Sequence, residues 1–221
     1  CCAYLLSIAH APGYPLYLLI GKIFTFLPFG EIAFRLNLAS AVFGALSCTL
    51  VFSIVFFITH QRFPALVSCF CLAFSQTFWT LSNKAEVYTL NTFLVGLLIF
   101  IFLIWRQRRN TPFPCLFFFI YGLSLGNHLT IVLFLPVFLY FFIKERVSLL
   151  QIGKCILCFL IGLSIYIYLP IRSSQDITLV NWSKITTLNH FFRYITGSHF
   201  KNLLFSSSPF EVIKHLGNYF L

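Results

Sequence analysis

The chain has 221 residues, 59% of them hydrophobic and 19% aromatic, against only 9% charged. Soluble domains carry about 25% charged residues, so no water-facing shell can be built here, and a soluble globular protein and a disordered chain are both excluded. Fifteen Lys and Arg against five Asp and Glu leave a net charge of +10, which in so apolar a chain reports basic cytoplasmic loops rather than nucleic-acid binding.

Apolar runs such as 46–58 and 94–105 are unbroken, where the strands of a membrane β-barrel would alternate. The fold class is therefore all-α, a multi-pass transmembrane helical bundle. Residues 1–29 read as an external juxtamembrane segment with one interfacial helix. Within it, 14–29 is apolar enough to cross a bilayer but short, bracketed by Pro15 and Pro28, and carries Lys22 near its middle. Tyr14, Leu18, Gly21, Lys22 and Thr25 share one helical face, which suits a helix lying in the interface; a crossing helix is the alternative.

Residues 30–169 read as the transmembrane bundle, with about six spans of the length a bilayer requires: 35–58, 64–82, 87–105, 113–126, 129–143 and 149–169. The fourth and fifth are short, implying a thinned bilayer or a different tilt. Residues 170–221 are more polar and read as an external segment, with Trp182, Phe191 and Phe192 as aromatic anchors. The chain contains no Met, opens at Cys1 in mid-element and stops at Leu221 without a hydrophilic tail. It is read as a fragment of a longer protein.

Arg62, then Arg106, Arg108 and Arg109, then Lys144, Arg146 and Lys154 fall in alternate loops, while the intervening turns hold only Lys84 beside Glu86 and none at Asn127. The positive-inside bias makes the first set cytoplasmic and puts the turns at 84–86 and 127–128, with everything after Pro170, on the other side. Cys48, Cys69, Cys71, Cys115, Cys155 and Cys158 sit in apolar runs and behave as small apolar residues. No metal site is visible, and no cofactor is implied.

Mid-span ionisable residues, the mark of an ion path or proton relay, are essentially missing. The unusual polar residues gather at the external ends of spans: His10, Lys84, Glu86, Tyr88, Asn127, His128 and Arg172, followed by Asp176 and Trp182. Such a cluster suits chemistry on a lipid phosphate, whose tail stays in the membrane while Arg, Lys and His hold its headgroup. Glu86 and Asp176 are the external carboxylates able to act as a base or to orient a hydroxyl. Asn181-Trp182-Ser183 also matches the N-glycosylation pattern. A lipid or solute transporter, or a non-catalytic membrane scaffold, stands as the alternative to an enzyme.

The ordered motifs are more specific than any one of them. They are His10-Ala-Pro-Gly-Tyr-Pro-Leu-Tyr17, Leu27-Pro-Phe-Gly30, Arg35-Leu-Asn-Leu-Ala-Ser-Ala41, Phe78-Trp79, Glu86-Val-Tyr88, Gly122-Leu-Ser-Leu-Gly-Asn-His128, Leu169-Pro-Ile-Arg172, Asn181-Trp182 and Ile195-Thr-Gly197. Together they resemble a membrane family, long a domain of unknown function, whose eukaryotic members are similar to protein O-mannosyltransferases acting on IPT/TIG domains, within the GT-C glycosyltransferases. The resemblance implies a GT-C-like bundle that takes mannose from a polyprenyl- or dolichyl-phosphate donor in the membrane lipid to a protein acceptor at the non-cytoplasmic face. The membrane would be that of the endoplasmic reticulum or the bacterial inner membrane.

It further implies inverting displacement, with a carboxylate taking the acceptor proton and basic groups steadying the departing phosphate. Glu86 and His10 then carry the catalytic positions, and Arg172, His128, Lys84 and Tyr88 the donor-phosphate positions. Trp182 and Asp176 take acceptor or structural positions. The family's His-Pro-Pro-Gly pattern has Ala11 as its second residue here. The resemblance places the main acidic base, which GT-C enzymes carry ahead of this segment, upstream of Cys1, which would make Glu86 a supporting or donor-site residue.

Overall fold

A computed structural model describes residues 2–108, 112–144, 148–175 and 181–198. Helix α1 (Cys2–Leu5) is a single turn, followed by α2 (Pro15–Phe24) and the long α3 (Ile32–Thr59). The chain continues through α4 (Arg62–Ala73), α5 (Gln76–Ser82), α6 (Tyr88–Gln107) and α7 (Phe113–Leu125). A 3₁₀ stretch (Leu129–Phe134) then leads into α8 (Leu135–Lys144). Finally α9 (Leu149–Leu163) runs through a 3₁₀ turn (Ser164–Ile167) into α10 (Tyr168–Ser174), and α11 (Leu188–Ile195) buries its Tyr194 with Ile8, Ala11 and Leu169. The molecule is a helical membrane bundle.

Helix α6 is its axis. Leu90, Leu94, Leu98, Ile101, Phe102 and Trp105 recur at three- and four-residue intervals and are all buried, so one face of α6 fills the centre against Phe117, Tyr121 and Phe138. Helices α7 and α9 cross by direct backbone approach, because Gly122 and Gly162 carry no side chain to hold them apart.

Among the described residues, three helical stretches are long and apolar enough to cross a bilayer: Ile32–Thr59, Tyr88–Gln107 and Leu149–Ser174. The expected span 64–82 is instead two helices, α4 and α5, bent by 66°. The break has a local cause, for Ser75 starts α5 afresh by accepting the Phe78 N–H on its hydroxyl. The third stretch runs on past the expected boundary at 169 to Ser174. The segments 113–125 and 129–140 are short apolar helices, the second beginning as 3₁₀ rather than α. At 1.5 Å per residue α7 covers about 20 Å against a hydrocarbon core of about 30 Å.

In α2 and its C-cap, Leu18, Gly21 and Thr25, which share one helical face, are buried. A Cβ at Gly21 would press on Ala3 and Leu36, so this face is the one packed on α1 and α3. Thr25 returns its hydroxyl to the Lys22 carbonyl at 2.7 Å, and Lys22 reaches the Tyr4 carbonyl at 2.7 Å. Ile23 and Phe26 point outward, 66% and 73% exposed. The small Gly21 and the back-bonded Thr25 thus serve close packing beside the buried Leu16 and Leu18, while Ile23 and Phe26 face outward.

Candidate functional site

The segment from Leu5 to His10 has almost no helix of its own, so its peptide groups need partners from elsewhere. They find them in the last third of the described chain. The Leu5 and Leu6 carbonyls accept from the Arg172 guanidinium (Nη2 at 3.1 Å, Nε at 2.6 Å), and the Ser7 carbonyl accepts from the Tyr168 hydroxyl at 3.1 Å. The Ile8 carbonyl accepts from the Trp182 backbone N–H at 3.1 Å, and the Ala9 carbonyl accepts from the Tyr194 hydroxyl. The Ile8 N–H donates to Asn181 Oδ1 at 3.0 Å. Five consecutive carbonyls are thus fixed by side chains and backbone from the far end of the described sequence.

This fastening holds His10 at the mouth of a cavity of about 430 Å³. Its polar lining is His10, Tyr14, Tyr17, Glu86 and Tyr88, over a wall that includes Ala3, Leu18, Leu36 and Val87. The other side of the cavity is the start of α6. There the Ser40 hydroxyl accepts from the Glu86 N–H at 3.4 Å, and Asn127 donates to the Val87 carbonyl at 3.2 Å. Asn127 is fully buried, so α3 and the α7 turn together fix the peptide that presents Glu86.

Between the two walls runs a chain of rings. Trp182 meets His10 edge-on at 5.8 Å, and His10 meets Tyr14 at 5.0 Å. Tyr14 stacks on His128 at 6.3 Å, and His128 lies 5.9 Å from Tyr88. The Tyr14 hydroxyl shares a hydrogen bond of 3.2 Å with His10 Nε2. Tyr14 has left-handed backbone (φ 47°), an unfavourable conformation for a bulky residue that here turns the ring inward. Its phenol is pushed above the ordinary tyrosine range, first by burial and then by the neighbouring Tyr88 and Glu86, so it stays protonated.

His128 titrates the other way. Burial disfavours its charged form and lowers its pKa. Its Nδ1 accepts the Thr130 N–H at 3.3 Å, which leaves Nε2 to carry the proton of the neutral ring. At neutral pH this is a hydrogen-bond donor without charge.

The expected site residues therefore divide. His10, Glu86 and Tyr88 line one cavity, with His128 and Trp182 in ring contact with that set. Lys84 is exposed in the turn before Glu86, outside the lining. Arg172 is committed to the Leu5 and Leu6 carbonyls and to Gln175, and does not line the cavity. Asp176 lies outside the described residues. Tyr14 and Tyr17 are missing from the expected set although they belong to the His10–Tyr17 motif, and Ser40 stands in the Arg35–Ala41 motif. Their signal is motif membership; nothing in their chemistry alone marks them.

The described residues form a helical membrane bundle in which one cavity gathers a carboxylate and aromatic rings near the start of α6. The chain belongs to the family described as Protein O-mannosyl-transferase TMEM260 N-terminal domain, whose profile matches residues 1–151. It is similar to the mouse protein named Protein O-mannosyl-transferase TMEM260, with 34% identity over 210 residues, covering 89% of this chain and 30% of the mouse protein. The protein of the same name from Dictyostelium discoideum is 26% identical over 223 residues, covering 91% of this chain and 27% of its own length. The chain thus spans 30% or less of the relatives it matches. No solved structure matches it.

Proposed function

We propose that this chain is the part of a membrane glycosyltransferase that holds the sugar-transfer site, moving mannose from a polyprenyl- or dolichyl-phosphate donor to a protein hydroxyl at the non-cytoplasmic face. The observation that carries the reading is the cavity itself. A single carboxylate, Glu86, faces an imidazole and three phenols across apolar walls. Aromatic faces and a carboxylate are what a sugar ring requires, one to stack on its C–H surface and the other to accept from its hydroxyls. The names of the mouse and Dictyostelium relatives supply the sugar and the protein acceptor.

In this mechanism the acceptor hydroxyl oxygen attacks the anomeric carbon. The bond from that carbon to the phosphate oxygen breaks, and its electron pair leaves with the lipid phosphate. Glu86, which lines the same cavity as His10, orients the hydroxyl or takes its proton, together with any carboxylate supplied by the rest of the protein. His128 offers a neutral N–H, and Tyr88 a hydroxyl, to the phosphate oxygens; Lys84 adds charge at the rim. Arg172 acts through the Leu5–His10 segment rather than by touching the donor. The lipid tail stays among the outward apolar side chains of the bundle.

The test is a transfer assay on the full-length protein in vesicles, with radiolabelled polyprenyl-phosphate mannose, or separately glucose, and a folded extracellular-type domain as acceptor. Mannose transfer that falls about a hundredfold or more in Glu86→Gln is expected, the size of a lost acid–base contribution. A well-folded protein that moves neither sugar would refute the enzyme reading and favour a transporter or scaffold.

A further inference from the structure

We infer that Asn181 is a positioning residue, whose side-chain carbonyl holds the Ile8 peptide so that His10 is presented to the cavity. The inference rests on the glycosyltransferase reading for its kinetic arm only. Ile8 is fully buried, and its N–H has one acceptor, Asn181 Oδ1, at 3.0 Å. The next residue closes the pair from the other side, because the Trp182 backbone N–H donates to the Ile8 carbonyl at 3.1 Å. Ile8 is thus gripped at both ends of its residue by two neighbours from a distant part of the chain. The same grip sets the Trp182 ring 5.8 Å from His10. His10 in turn shares its Nε2 hydrogen bond with Tyr14, so the orientation of one imidazole depends on an amide two residues behind it.

The role competes with another use of the same side chain. Asn181-Trp182-Ser183 is a glycan acceptor pattern, and its Ser183 hydroxyl is hydrogen-bonded to His190 Nε2 at 3.1 Å. Positioning needs the carbonyl oxygen of residue 181 and nothing attached to its nitrogen. Removing the oxygen leaves a buried N–H without a partner, which is costlier than losing an exposed hydrogen bond. An aspartate keeps the oxygen at the same reach while abolishing the acceptor pattern, and Ser183→Ala abolishes the pattern without touching the amide. These substitutions separate the two uses.

The experiment compares Asn181→Ala, Asn181→Asp and Ser183→Ala in the full-length protein, with two readouts. The first needs no transfer: hydrogen–deuterium exchange of the Ile8 amide, read by peptide mass spectrometry, reports whether that buried N–H keeps its acceptor. Exchange is expected to stay slow in the natural protein, in Asn181→Asp and in Ser183→Ala, and to accelerate about tenfold or more in Asn181→Ala. The second is transfer, expected to fall about tenfold in Asn181→Ala and to be largely restored in Asn181→Asp. If Asn181→Ala does not fold, the aspartate variant still decides. An aspartate that exchanges fast, an alanine that stays protected, or a Ser183→Ala as impaired as Asn181→Ala would each overturn the assignment, the last by making a glycan the functional element. Absence of transfer in every protein, with the exchange pattern intact, would refute the enzyme reading while leaving the positioning role standing.

Discussion

Gly122 and Gly162 each occupy the place where the other's helix comes closest. A Cβ on Gly122 would run into the carbonyl of Phe159, and one on Gly162 into the carbonyl of Phe119. Both obstacles are backbone, which cannot rotate aside as a side chain can. Helix packing in a membrane depends on such close approach because lipid is as apolar as the helices it surrounds.

Gly122→Ala and Gly162→Ala are therefore expected to destabilise the bundle by about 1–3 kcal/mol each, the range for overpacking a tight contact. Gly153, on the same α9, faces open space: a Cβ there would meet nothing within 4 Å. Gly153→Ala should leave stability unchanged or raise it by up to about 1 kcal/mol through helix propensity. Thermal unfolding of the three variants in one detergent checks this; equal shifts for all three would show that the crossing does not depend on backbone contact.

A second prediction concerns pH. Burial depresses the His128 pKa below its ordinary value, so the folded protein holds this ring neutral where an unfolded chain would protonate it. The sign follows from linkage: the stability His128 allows is complete above the unfolded value of about 6.5, and falls as pH drops through the window between that value and the lower folded one. Melting temperature should fall below about pH 6.5 in the natural protein, and His128→Gln should remove part of that fall. Unfolding scans from about pH 8 to about pH 5 report it. A substitution that leaves the slope unchanged would place the acid sensitivity at another group.

Why some of this was legible in the sequence and some was not has a physical basis. Composition carries the membrane class because a bilayer admits few charges, and the long runs around α3 and α6 need no context to be read. The break at Ser75 has only a local signal, a lone N-cap residue in an apolar stretch. Helix α2 is harder to read because Gly21 and Thr25 look polar by type, whereas small size and a back-bonded hydroxyl let them pack. Glu86, His10 and Tyr88 stand out by residue type and motif order, and do share a cavity. Arg172 is legible as a basic residue at a membrane helix end, but its hydrogen bonds to the Leu5 and Leu6 carbonyls join it to residues at the opposite end of the described chain. No local pattern encodes such a contact.

Tyr14 links the two halves of the site, so Tyr14→Phe is informative. The ring stays to stack on His128, and only the hydroxyl shared with His10 is lost. Stability should change by less than about 1.5 kcal/mol, the net worth of one neutral hydrogen bond. Transfer should nevertheless fall about tenfold or more if His10 orientation matters to the reaction, since the lost interaction acts on a reacting group. Steady-state kinetics with the labelled donor, beside a melting curve, separates the two effects. A loss of stability with no change in kcat would leave Tyr14 a packing residue.

Arg172 gives the sharpest contrast between the reading of the sequence and that of the structure. As a donor-phosphate ligand it would affect donor affinity and little else. As the clamp on the Leu5 and Leu6 carbonyls, its loss releases the turn that follows α1, at a cost of about 1.5–3 kcal/mol for hydrogen bonds from a charged donor. Cys2, a free and half-buried thiol at the start of α1 whose carbonyl accepts from the Ser7 N–H in that turn, lines the cavity and reports the difference. Maleimide modification of Cys2, followed by peptide mass spectrometry, should accelerate about tenfold in Arg172→Ala, a factor that corresponds to about 1.4 kcal/mol of opening. Arg172→Lys should restore only part of the protection, because an ammonium is a single point and cannot serve two carbonyls with the fixed geometry of a guanidinium. Unchanged labelling together with a raised KM for the lipid donor would return Arg172 to the phosphate; faster labelling with KM unchanged and kcat reduced would assign it to the architecture that holds His10 in place.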